Sequence, residues 1–115
     1  MHWLFAAVSA TALSLLSFAA QAADVDAGKA AFQQHCAICH GPTGEADSPT
    51  AAALDPQPRV LSDAGWQASV DDEYLRKVIR EGGPAVGLSP LMVAQRGLSD
   101  KELANVVAYI RSLAE

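Results

Sequence analysis

Apolar positions recur at helical spacing in three stretches of this chain. The sharpest stripe is Leu103, Val106, Val107, Ile110 and Leu113, which falls on one face of a 3.6-residue repeat. Ser99 followed by Glu102 makes a capping box ahead of it, and Leu98 with Leu103 a hydrophobic staple, so the pattern predicts a helix from Ser99 to about Ala114. A second stripe, Leu75, Val78 and Ile79, has Arg76, Lys77 and Arg80 largely off its face, and predicts a helix from Asp71 or Asp72 to Glu81. Val70 and Leu75 can staple its start, and Gly82-Gly83-Pro84 stops it. A third helix is predicted from Asp24 or Asp26 as N-cap through Ala27 to about Cys39, with Gly28 and Phe32 one turn apart. Between the first two helices in chain order, Gly41 to Ser69 contains proline and glycine and shows no strand pattern. The expectation is an all-α domain of three main helices and long loops. A loop of that length needs something other than its own secondary structure to pack against.

The N-terminal pattern is different in kind. Leu4 to Ala20 is an apolar run broken by serines and a threonine, and it reaches the small-x-small site Ala20-Gln21-Ala22. This reads as a cleavable export signal, residues 1–22, ahead of a domain at 23–115. A membrane anchor is the competing reading, but the run falls short of the roughly 20 strongly apolar residues that span a bilayer. The leader departs from the usual pattern in having no Lys or Arg before its apolar core. It carries no acidic residue either, so the mature chain keeps the formal charge of −5. Net negative charge argues against nucleic acid as a partner, and net charge alone does not locate a docking patch.

The chemistry concentrates at Cys36-Ala37-Ile38-Cys39-His40, the C-x-x-C-H spacing by which a c-type haem is attached. Cysteines three apart on a helix share a face, so both thiols can reach the two vinyl groups of one haem edge, and His40 lies on the same face to ligate the iron. Three plainer readings compete. A thioredoxin-like redox pair would need a βαβ context, and a closed zinc site about four Cys/His ligands. Only His35 remains for zinc once the motif and leader are set aside. A structural disulfide is the ordinary expectation for an exported chain with two cysteines, and the spacing overrides it. Haem would also explain the long middle stretch, since Ala51-Ala52-Ala53-Leu54 and Val60-Leu61 could pack on the macrocycle.

The second axial ligand must come from far along the chain. Apart from Met1, Met92 is the only methionine, in the segment Gly87-Leu88-Ser89-Pro90-Leu91-Met92. An unselected methionine is usually a core filler, but beside a haem motif it is the candidate ligand. His35 is its rival by chemistry, yet it is tethered one residue before Cys36 and a solvent-facing position suits it better. His2 departs with the leader.

With Cys36, Cys39 and His40 near the mature N-terminus and Met92 before the C-terminal helix, residues 24 to 114 resemble a small class I c-type cytochrome. The resemblance implies three main helices and long loops wrapped around one covalently attached haem. It implies that the first and last helices cross tightly, with Gly28 and Phe32 on one and Tyr109 on the other, beside Val106 and Ile110. A missing side chain at a crossing lets two helices approach, which is reason enough for a glycine there. It also suggests that Arg59 and Trp66 hydrogen-bond the haem propionates, beside their plainer roles as a solvated arginine and a loop anchor. Family members commonly orient the ligating histidine through a proline carbonyl, and Pro42 and Pro49 are both near.

The function implied is one-electron transfer in the periplasm or an equivalent exported space, by a protein that is not itself an enzyme. Its partners would be redox protein donors and acceptors, with no stable membrane insertion of the mature chain. Two alternatives use the same residues. One is the cytochrome subunit of a periplasmic oxidoreductase complex with a larger dehydrogenase or oxidase partner. The other is a peroxidase-like or gas-binding haem protein, which would require Met92 not to bind iron.

Overall fold

A computed structural model of the chain describes Trp3, Ala12, Ser14 and residues 22–115. The leader reading at 1–22 and its cleavage site lie essentially outside the described residues. Asp24 opens helix α1 (Val25–His35), its carboxylate accepting the Ala27 N–H at 3.0 Å. The chain then turns at Cys36, whose φ of −123° and ψ of −32° are off the helical values, and a single further turn, α2 (Ala37–His40), carries the rest of the motif. The predicted continuous helix from Ala27 to Cys39 is therefore two pieces. The hydrogen-bond ladder nevertheless bridges the break: Cys36 N–H donates to the Phe32 carbonyl at 2.8 Å and His40 N–H to the Cys36 carbonyl at 2.9 Å. No proline or glycine stands there, so the bend is a tertiary effect. Phe32 is fixed in the core on one side of it and the His40 ring is held on the other.

Two short helices interrupt the stretch that the sequence pattern leaves structureless. Ser48 caps α3 (Pro49–Ala53) by accepting the Ala51 N–H at 3.0 Å, and its hydroxyl donates to the Cys39 carbonyl at 3.2 Å, which ties α3 to α2. Asp63 caps α4 (Ala64–Ser69) through the Trp66 N–H at 3.0 Å. Helices of this length cannot display a 3.6-residue repeat, so their caps are the only local signal.

Helix α5 (Asp72–Glu81) is capped by Asp71, buries Leu75, Val78 and Ile79 as its stripe predicts, and ends at Gly82. One turn of 3-10 helix, Gly83–Val86, follows it. Helix α6 (Asp100–Ser112) starts with both halves of the capping box in place: Glu102 N–H donates to the Ser99 hydroxyl and Ser99 N–H to the Glu102 carboxylate, each at 3.1 Å. Among the described residues there is no strand.

The α1–α6 crossing is the centre of the core. A methyl group on Gly28 would overlap the Asn105 carbonyl oxygen, so only glycine permits this approach. Phe32 is fully buried and meets Tyr109 edge to face, with ring centroids 5.2 Å apart. The Tyr109 hydroxyl donates to the Pro42 carbonyl at 2.8 Å, and Asp24 N–H donates to the buried Asn105 side chain at 2.9 Å. At the other end of α6, Arg111 donates to the carbonyls of Gln67 (2.6 Å) and Val70 (2.7 Å) and to the Asp72 carboxylate (2.8 Å). Buried Gln67 donates to the Leu61 and Ile110 carbonyls at 2.8 and 2.7 Å. These bonds lock α4 and the start of α5 against α6, so the wall opposite the α1 contact is fixed too.

Candidate functional site

A cleft of about 630 Å³ opens between α2, the 54–66 stretch, α5 and the loop after α5, within the roughly 300–1,000 Å³ of cofactor sites. Phe32, Leu75, Val78, Ile79 and Ile110 give it an apolar floor. The Cys36, Cys39 and His40 motif and three residues from distant parts of the chain, Arg59, Trp66 and Met92, all line it. His35 does not. It is half-buried at the end of α1, rather than the solvent-facing residue the pattern suggests.

The break at Cys36 sets the two thiols differently. Cys36 is buried against the core and Cys39 half-buried, and neither is in a disulfide. Burial first, and the neighbouring Cys39 second, push the Cys36 thiol up to about 11. Both sulfurs are thus available as thiols on the cleft wall.

His40 has one ring nitrogen committed. Its Nδ1 lies 3.1 Å from the Arg59 carbonyl oxygen. A carbonyl only accepts, so Nδ1 carries the proton and Nε2 keeps its lone pair for a metal. Burial lowers the histidine's pKa, and the Arg59 bond opposes that shift. The orienting carbonyl is therefore not the proline carbonyl the resemblance suggests. The Pro42 carbonyl is taken by Tyr109, and Arg59 fills the role through its backbone. No residue-type pattern announces a main-chain acceptor, which is why it is silent in the sequence. The Arg59 side chain is separately engaged: its guanidinium lies over the Trp66 ring at 5.2 Å from the centroid.

Of the loop segments expected to cover a macrocycle, Leu54, Val60 and Leu61 line the cleft. Ala51 to Ala53 do not, because α3 turns them away: Ala51 is buried and Ala52 and Ala53 are exposed. Met92 is half-buried in the loop after α5. Around it the rim is apolar and open, with Leu88, Leu91, Val93 and Val60 all lining the cleft while exposed to solvent.

The residues present fit a c-type haem. Two free thiols and an imidazole with an uncommitted nitrogen share one apolar cleft with the one methionine of the 23–115 segment. A family model described as "Cytochrome C oxidase, cbb3-type, subunit III" matches residues 23–110, a span that takes in all of them. The chain belongs to this family of c-type cytochromes. It is a class I c-type cytochrome, an electron-transfer protein with haem c as its cofactor and not itself an enzyme. Among solved structures it is similar to the KustC0563 c-type cytochrome, with a TM-score of 0.63 and 29% identity over 76% of this chain and 98% of that one. It is also similar in fold to a chain of the Kuenenia stuttgartiensis reducing HAO-like protein complex Kustc0457/Kustc0458, with a TM-score of 0.64 and 23% identity over 80% of this chain. The cytochrome spans 43% of that second chain's length. No helix among the described residues is long and apolar enough to cross a membrane.

Proposed function

We propose that this cytochrome is an exported carrier with one haem per chain, attached through Cys36 and Cys39 and ligated axially by His40 and Met92. The observation that carries the reading is that these four residues line one cleft. A haem held by these residues would supply one-electron redox chemistry at its iron. The chain's own residues set the conditions. Arg59, through its carbonyl, keeps His40 in the tautomer that presents Nε2. The Met92 thioether completes the ligand set and raises the potential by favouring the ferrous state. The core of α1, α5 and α6 keeps the floor of the cleft dry. Arg59 and Trp66 on the wall offer a guanidinium and an indole N–H to the haem carboxylates. The exposed apolar rim at Leu88, Leu91 and Val93 leaves an edge through which an electron passes to a redox protein.

Residues 1–22 act as the export signal, cut after Ala22, which places the cytochrome in the periplasm. The experiment for the ligand set is Met92→Ala. It should abolish the weak near-red sulfur-to-iron band of the ferric protein and lower the midpoint potential. An unchanged band and potential would assign the sixth position to another group.

A second reading places the chain as the cytochrome subunit of an oxidoreductase complex. The family description, which names an oxidase subunit, supports it. Stoichiometric co-purification with a larger redox protein from its native source would favour the subunit, and recovery of the cytochrome alone would favour the free carrier.

A further inference from the structure

The loop that carries Met92 closes on two glycines. Gly82 ends α5 at φ +86°, and Gly83 N–H donates to the Met92 carbonyl at 2.8 Å. The Gly83 carbonyl accepts the Leu88 N–H at 2.8 Å, and Met92 N–H donates to the Ser89 carbonyl at 3.2 Å. Residues 83–92 thus form a ring in which Met92 is tied at both its N–H and its carbonyl. The neck of that ring has no room for a side chain. A Cβ on Gly83 would overlap the Ser89 carbonyl oxygen and lie 3.1 Å from the Met92 Cβ. A Cβ on Gly82 would lie 3.0 Å from the Met92 carbonyl oxygen and 3.1 Å from Ala94 N, at a φ that L residues rarely adopt. Gly87, at φ +76° on the same loop, has nothing within 4 Å of where its Cβ would be. Of Gly82, Gly83 and Gly87, the two without space are the two that abut Met92.

We propose that Gly82 and Gly83 are positioning residues for Met92, their missing side chains seating its backbone against the end of α5 and so deciding whether its thioether reaches the iron. This rests on Met92 as the axial ligand. An added methyl at Gly83 meets main-chain atoms, which cannot rotate away, so the relief has to come from moving the 89–92 backbone. The axial bond is lost when its donor moves, whereas the thioethers at Cys36 and Cys39 lie on other elements and stay.

The test compares the holoprotein with Gly83→Ala and Gly87→Ala. Gly83→Ala should lose the near-red sulfur-to-iron band, keep covalent haem, and bind carbon monoxide in the ferrous state about tenfold more tightly or better. Gly87→Ala, strained in φ but free of neighbours, should keep both the band and the wild-type affinity. In a Met92→Ala background, Gly83→Ala should add nothing to carbon monoxide affinity, because the ligand it positions is gone. If Gly83→Ala yields no holoprotein, Gly82→Ala is read by the same criteria. An intact band and wild-type affinity in the alanine variant would overturn the inference, as would equal loss in Gly87→Ala or a further rise in the Met92→Ala background. A wild type without the band would instead overturn the ligand assignment itself, so the two failures are distinguishable.

Discussion

Cys36 and Cys39 differ in burial because one sits at the junction of two helices and the other within the short second one. In the proposed attachment both bond the same haem, so that carriage of pigment by the chain would depend on them rather than on the cleft alone. Changing both to serine should allow acid-acetone to extract the pigment that the wild type retains; retention by the double variant would place the attachment elsewhere. His40 shows what the sequence can and cannot disclose at this scale. The C-x-x-C-H spacing names it as a ligand by chemistry alone. Its orienting partner is a main-chain oxygen of Arg59, nineteen positions along and visible only once the chain is folded. The same residue was legible as a side chain with charge to offer, and its stacking on Trp66 was not.

At the scale of elements, long amphipathic helices were readable and short ones were not. α5 and α6 carry stripes, staples and caps that agree with one another, and their predicted boundaries hold to within a residue or two. α3 and α4 lie below the length at which periodicity speaks, and the bend at Cys36 is imposed by contacts on either side of it. The α6 cap supplies a pH prediction. The Ser99 backbone N–H first, and its hydroxyl second, hold the Glu102 carboxyl below the usual carboxylate range. A depressed folded-state pKa contributes stability that is present above the ordinary value and is lost as pH falls through the folded value. Ser99→Ala should move the Glu102 pKa up and cost about 1 kcal/mol through the lost cap, seen as a carboxyl titration by NMR and a lower urea midpoint. At the crossing two effects compete. Alanine is favoured over glycine in a helix by about 1 kcal/mol, but overpacking against a backbone carbonyl costs about 1–3 kcal/mol. Steric overlap at Gly28 is with main chain, so it wins, and Gly28→Ala should lower the unfolding midpoint. A raised midpoint would show that the helices part at little cost.

For the whole molecule, the arrangement separates access for electrons from access for ligands. The apolar rim at Leu88, Leu91 and Val93 is exposed, whereas the loop that presents Met92 is tied at Gly83 and Ser89. With Met92 as the proposed ligand, a small molecule seeking the iron would have to displace a held group, whereas an electron would not. The wild-type ferrous protein should therefore react quickly with small redox reagents and bind negligible carbon monoxide near neutral pH, and rapid stoichiometric binding would instead favour a gas-binding or peroxidase-like protein. All these expectations depend on a single covalently held haem in a processed chain. The most direct measurement is the intact mass of the denatured protein isolated from cells that carry out haem attachment. It should equal residues 23–115 plus one haem; the mass of the bare polypeptide, or of a chain bearing more than one haem, would contradict the account.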